Sequence, residues 1–186
     1  TIVENARPDD PQDFAFTGCL GTACASFTLD DDQDPTLPRS LSATGLAPGT
    51  YTVTQADVPG WPLRNLTCPG EPIDLEQRQV TITLTANEQR TSTFTNQQSG
   101  ISVRQDTEPD GPQDFTFQTC HQGTGCGTVS LDDDADAALA SSVTTTSAPT
   151  GTYGTTQAPT PGYTRPRLSC AGARPLFVRK RVRSLP

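Results

Sequence analysis

The sequence has no Met, one His (His121), one Trp (Trp61) and one Lys (Lys180), and aromatic residues make up 6% of its 186 positions. Its apolar residues fall in short runs, none near the roughly 18 that a membrane-spanning helix needs, so no transmembrane helix is expected. Positive charge is scarce as well. The net charge is −8, which disfavours a general nucleic-acid binder. Long helices are excluded by 17 Pro and 15 Gly spread along the chain. What the chain does have is Thr, 30 residues of it, together with short alternations of apolar and polar residues. Hydrophobic content is 32%, low enough to raise the question of disorder, but regular alternation and repeated turn signals point to a folded β protein.

Aligning the chain with itself reveals a repeat. Pro11-Gln12-Asp13-Phe14-Ala15-Phe16, Cys19, Cys24, Leu29-Asp30-Asp31-Asp32, Gly49-Thr50-Tyr51, Gln55, Pro59-Gly60-Trp61 and Cys68 return as Pro112-Gln113-Asp114-Phe115-Thr116-Phe117, Cys120, Cys126, Leu131-Asp132-Asp133-Asp134, Gly151-Thr152-Tyr153, Gln157, Pro161-Gly162-Tyr163 and Cys170. The offset is 101 up to Cys120 and 102 beyond it, which places one inserted residue between the paired cysteines. Two domains are therefore expected, 1–98 and 99–186. Alternation at Phe14/Phe16, Tyr51/Val53 and Ile82/Leu84 gives each strand one buried face, and Pro-Gly pairs mark the turns between them. The expected fold is all-β: two tandem antiparallel β-sandwiches of Ig-like build. After Cys68 the first unit has strand candidates at 80–85 and 90–95. After Cys170 only 176–183 remains, so the second sandwich is expected to be one strand short, with an open edge for a neighbouring chain to cover.

Six Cys in a small, loop-rich chain favour an oxidising, extracellular compartment, with cytosolic thiols or a metal site as the alternative. The chain opens on Thr1, for which a removed export signal or a longer parent protein is the expectation. Cys19 with Cys24, and Cys120 with Cys126, can each bridge a hairpin, leaving Cys68 and Cys170 equivalent. Those two either join each other, pair between chains, or take one loop Cys each. Fifteen connectivities are open.

The run Leu46-Ala47-Pro48-Gly49-Thr50-Tyr51-Thr52-Val53-Thr54-Gln55, with Val58-Pro59-Gly60-Trp61, resembles the prealbumin-like, Cna B-type (SpaA-like) domains of bacterial surface proteins and pilins. Asp13-Phe14 to Phe16, the Asp30–Asp32 run and Phe94-Thr95-Asn96 fit the same family. The resemblance covers the first unit and about two thirds of the second. It implies a sandwich fold, a cell-surface or secreted location and, in many members, a Lys–Asn isopeptide bond promoted by an acid. It places the Lys at Glu4 and Arg104, the acid at Gln55 and Gln157, and the Asn at Asn96. Only Asn96 matches. The resemblance also implies a last-strand partner for Cys68, where Ser92 stands instead.

Asp30, Asp32 and Asp34, and again Asp132, Asp134 and Asp136, follow a D-x-D-x-D spacing. Clustered carboxylates on a loop suit calcium, but the Gly and distal Glu of an EF-hand loop are missing, and a solvated acidic turn is the other reading. No other cofactor is expected. Residues 1–164 carry a net −15 and residues 165–186 a net +7. This polarity favours head-to-tail assembly through the basic end, with Lys180, Arg181 and Arg183 as candidate contacts. It equally suits an anionic cell-wall polymer or a solvated tail. His121 has no repeat counterpart, and neither a nucleophile elbow nor a zinc-protease helix nor a phosphate loop occurs, so no enzyme is expected. A Cys120–His121–Cys126 zinc site is conceivable. Trp61 and Tyr163 are expected to cap the two cores, or to present aromatic faces to a sugar. Asn65-Leu66-Thr67 is a glycosylation sequon. The expected role is a self-assembling, pilus-like filament subunit, the alternative an adhesin module that binds glycan through these loops or the basic end.

Overall fold

The computed structural model describes residues 1–171 and 176–184, with side chains through residue 164. It divides into two compact units, Thr1–Gln98 and Ser99–Pro186. All regular elements among the described residues are strands.

The first unit runs β1 (Ile2–Arg7), β2 (Phe14–Leu20), β3 (Ala23–Leu29), β4 (Ser40–Leu41), β5 (Gly49–Gln55), β6 (Leu63–Thr67), β7 (Ile73–Asp74), β8 (Gln79–Leu84) and β9 (Ser92–Gln97). One sheet has the order β4-β1-β9-β6, the other β3-β2-β5-β8-β7. Alternation has the expected effect: Phe14 and Phe16 of β2, Val53 of β5, and Val80 and Ile82 of β8 point inward and meet Ala6, Leu66 and Phe94 of the facing sheet. Aromatic rings tie the layers together, Phe16 edge-on to Phe94 at 5.0 Å between centroids and Phe14 edge-on to Trp61 at 5.8 Å. One pairing departs from the antiparallel expectation. β1 runs parallel to β9 over six residue pairs, Ile2↔Ser92 to Arg7↔Gln97. First and last strands are separated by the whole unit, so the intervening chain serves as the crossover that parallel neighbours require.

The second unit runs β10 (Gly100–Arg104), β11 (Asp106–Glu108), β12 (Phe115–His121), β13 (Gly125–Leu131), β14 (Ser142–Thr146), β15 (Tyr153–Gln157), β16 (Tyr163–Ala171) and β17 (Leu176–Ser184). One sheet has the order β11-β17-β10-β14 with β16 on β17, the other β13-β12-β15. Val103, Phe115, Phe117 and Leu131 form its core, with Val129, Val143 and Tyr163 packed against them. Residues 176–184 are therefore not a loose tail. They form a strand paired in parallel with β10 and β11 and antiparallel with β16. Twenty-four residues join β6 to β9 and include β7 and β8, whereas four join β16 to β17. Such a short connection has no room for a counterpart of β8, and among the described residues no strand lies on the far side of β15.

Because the two cores come from separate stretches of chain, calorimetry of the full chain should show two unfolding transitions. Phe14→Ala should lower one and Phe115→Ala the other, each by about 3–5 kcal/mol. A single transition that responds to both substitutions would show that the units melt together.

Candidate functional site

In the first unit a buried polar chain crosses between the sheets. Glu4 of β1, Gln55 of β5 and Asn96 of β9 are each at most 1% exposed. Gln55 Nε2 donates to Glu4 Oε2 at 2.8 Å and to Asn96 Oδ1 at 2.9 Å, and Asn96 Nδ2 donates to the Trp61 carbonyl at 2.9 Å. The three positions that the family resemblance aligned with an isopeptide triad are thus brought into contact. The chemistry differs, because an acid and two amides hold no amine nucleophile. Burial pushes the Glu4 carboxyl up to about 8, with the nearby Asp31 carboxylate adding to the shift. Glu4 is therefore mainly protonated at neutral pH, which removes the cost of burying an anion.

The second unit places a different residue at this point from the one expected. Ala6 N donates to Asp31 Oδ2 at 3.0 Å, and Thr107 N donates to Asp133 Oδ2 in the same manner, which makes Thr107 the counterpart of Ala6. The counterpart of Glu4 is then Gln105, fully buried, and not Arg104, which is exposed. A slip of one residue along a strand turns the side chain to the opposite face. Backbone register puts Val182 where Asn96 stands in the first unit.

The Asp runs follow the ends of β3 and β13, and their members face different ways. Asp31, 2% exposed, points toward β1, where it also pairs with Arg39 Nε at 2.8 Å. Asp30, Asp32 and Asp34 gather on the other side, each offering one carboxylate oxygen within 4.8 Å of the rest, and Asp132, Asp134 and Asp136 do likewise. A third group, Asp106, Asp110 and Asp133, meets the same distance, but Asp133 is engaged by both the N–H and the hydroxyl of Thr107.

Cys19–Cys24 and Cys120–Cys126 are disulfides, each pinning a hairpin, β2–β3 and β12–β13. Cys68 is a buried free thiol, and the side chain of Cys170 lies outside the described residues. The zinc reading at Cys120, His121 and Cys126 is overturned, since oxidised sulfurs offer no thiolate. The His121 ring instead lies tilted against Tyr153, 4.5 Å between ring centroids, and its Nδ1 meets Thr124 Oγ1 at 2.6 Å. Trp61 is 2% exposed, so it caps the core and presents no face to a sugar. Tyr163 packs edge-on against Phe115. The side chains of Lys180, Arg181 and Arg183 lie outside the described residues.

Sequence reading expected an open edge in the second unit without naming the strand; among the described residues, β15 has no outer neighbour where its counterpart β5 has one. Ala158 N donates to Thr116 O at 2.9 Å and Gln122 N to Thr152 O at 3.0 Å, so the even-numbered residues of β15 face β12. Tyr153, Thr155 and Gln157 then aim their backbone groups away from the sheet. In the first unit the corresponding direction is filled: Gln55 N donates to Arg78 O at 3.0 Å, and β8 pairs with β5 over six residues.

The profile of the SpaA_4 prealbumin-like fold domain matches residues 1–98. The chain belongs to this family of prealbumin-like domains. Among solved structures it is similar to a single B repeat unit of the collagen-binding surface protein Cna of Staphylococcus aureus, with 13% identity over 100% of this chain and 96% of that one, TM-score 0.36. It is also similar to a major pilin protein of Streptococcus pyogenes, with 13% identity over 98% of this chain and 95% of that one, TM-score 0.39. The pilus adhesin SpaC of Lactobacillus rhamnosus GG shows 12% identity over 100% of this chain and 31% of that one, TM-score 0.34. No curated protein matches the chain.

Two outcomes follow from the buried crossing. Between the unfolded Glu value near 4.5 and the folded value near 8, the folded chain keeps a proton that the unfolded chain has released. Stability should therefore fall as pH rises through this window, by up to about 1.4 kcal/mol per pH unit. Glu4→Gln should flatten the slope in a pH series of thermal melts. Second, Glu4→Lys with Gln55→Glu should restore the missing amine and acid beside Asn96. Attack of Lys Nζ on the Asn96 side-chain carbonyl carbon would form an amide and release one ammonia, a loss that intact-mass spectrometry reads directly; an unchanged mass would show that the crossing lacks the required geometry.

Proposed function

We propose that this chain is a non-enzymatic structural subunit of an extracellular, surface-attached fibre, extended by strand addition at the outer edge of β15. The observation that carries the reading is the contrast between the two units: β5 is covered by β8, while its counterpart β15 has no outer neighbour among the described residues. Natural sheets blunt exposed edges with charge, proline or a covering segment. The β15 sequence Tyr-Gly-Thr-Thr-Gln holds neither charge nor proline, and its nearest charged residues along the chain are Asp136 and Arg165. Register in the first unit indicates what this edge accepts. The partner is an antiparallel segment with apolar residues at alternate positions, as Val80 and Ile82 stand opposite Val53 and Tyr51. A segment of a neighbouring copy placed there makes a contact between unlike surfaces, which propagates rather than closing. The two hairpin disulfides suit an oxidising exterior. The acidic body and basic end favour head-to-tail encounter. The rival glycan-binding reading loses the aromatic platform it needed at Trp61.

Negative-stain electron microscopy of the full chain tests the proposal. Removing residues 175–186 would delete β17 from its sheet, so a substitution is the cleaner probe. Thr155→Pro removes an outward N–H and leaves the even-numbered residues paired to β12. Filaments should form from the parent at low salt, thin out as salt rises, and be absent from Thr155→Pro while its calorimetric transitions persist. Uniform monomers of the parent under all conditions would sink the filament reading.

A further inference from the structure

We propose that the loop bearing Asp132, Asp134 and Asp136 is a calcium site. Three carboxylates lie together there, each with an oxygen within 4.8 Å of the others. Calcium binds oxygen at about 2.3–2.6 Å, so two ligands of one ion stand at most about 5 Å apart, and this loop meets that limit. The independent observation is Asp132 itself. It is 3% exposed, and its Oδ1 has no hydrogen-bond partner. A buried carboxylate oxygen without a donor is costly, and a native fold that retains one has a reason. Asp134 and Asp136 each use Oδ1 to accept a loop N–H, from Asp136 at 2.9 Å and Ala138 at 2.6 Å, which fixes both side chains and leaves their Oδ2 atoms for a ligand.

Charge supports the same assignment. Burial raises the Asp132 carboxyl above its ordinary range, and Asp134, Asp136, Asp114 and Asp133 add further repulsion. None of the ion pairs among the described residues reaches Asp132, Asp134 or Asp136. These negative groups thus share one end of the second unit without a counter-ion from the described residues. The donor set is all oxygen, with no His and no free thiol, which selects a hard cation over zinc or copper. An irregular loop with exposed members suits calcium better than magnesium, which demands near-octahedral geometry. Water would complete the shell through the exposed Asp136 side. Such a site falls among the weak extracellular modules, with Kd on the order of 0.1–1 mM. The Asp30, Asp32 and Asp34 loop repeats the spacing, but Asp30 already accepts the Asp32 backbone N–H and has no orphaned oxygen, so it is the weaker twin.

Isothermal titration calorimetry with calcium chloride at fixed ionic strength, on the dilute full chain, tests this independently of any assembly. The parent should show binding in the range above and a calcium-dependent rise of the transition that Phe115→Ala lowers. Asp132→Asn should weaken the binding at least about tenfold, Asp134→Asn should do the same while leaving the buried position intact, and Asp30→Asn and the exposed Glu76→Gln should keep it. Absence of binding heat and of any melting shift at about 10 mM calcium, or retention of parental affinity in both Asp132→Asn and Asp134→Asn, would overturn the assignment. A shift that sodium chloride of equal ionic strength reproduces would overturn it as well.

Discussion

A carboxyl group that burial pushes toward its uncharged form sits between the sheets of the first unit, and three strands meet at it. Glu4 comes from β1, its amide partner Gln55 from β5 in the opposite sheet, and Asn96 from β9, so three strands meet at one set of hydrogen bonds. Asn96 then holds the Trp61 carbonyl, which seats the indole against Phe14. Apolar contacts alone would let the sheets slide by a residue or two at small cost, since one Leu or Val face much resembles another. Directional bonds at a buried point admit one register.

Much of this architecture was legible in the residues. Phe14 and Phe16, the Pro-Gly turns and the doubled motif lead to strands, turns and two units because period-2 alternation and turn chemistry are local signals. The hairpin bridges were among the pairings the sequence left open, and only four and five residues lie between the paired cysteines. The features that escaped reading depend on partners far away in sequence. The family resemblance grouped Glu4 with Gln55 and Asn96, 51 and 92 positions on, but a Glu on a strand reads by itself as a surface residue, and the hydrogen bonds that let it be buried are not visible in sequence. The parallel closure of β1 on β9 leaves no pattern in either strand. The assignment of Arg104 instead of Gln105 shows how thin the sequence signal is, because one residue of slip separates a core position from an exposed one. The strand expected at 176–183 forms, but its parallel pairing with β10 and β11 could not be read from its own residues.

The two units share a plan without sharing its details. What repeats closely is the anchoring of the first strand: Asp31 and Asp133 each accept a backbone N–H, from Ala6 and Thr107. What does not repeat is the polar crossing. Gln105 lies buried with both amide atoms unpartnered, and Val182 occupies the register position of Asn96. An orphaned buried amide costs about 1–3 kcal/mol. The second unit carries that burden and, among its described residues, has no counterpart of β8.

The parallel pairing of β1 with β9 also has a mechanical meaning. Parallel strands begin at the same end, so the start of β1 and the finish of β9 lie at opposite ends of the pair. Tension applied through residues 1 and 98 then loads the six residue pairs along the strand axis, as a lap joint is loaded in shear, and the interstrand hydrogen bonds must yield together. An antiparallel closure would have set both attachment points at one end and let the bonds open one after another like a zip. A pull on the two ends of the first unit would thus be resisted by the six residue pairs together.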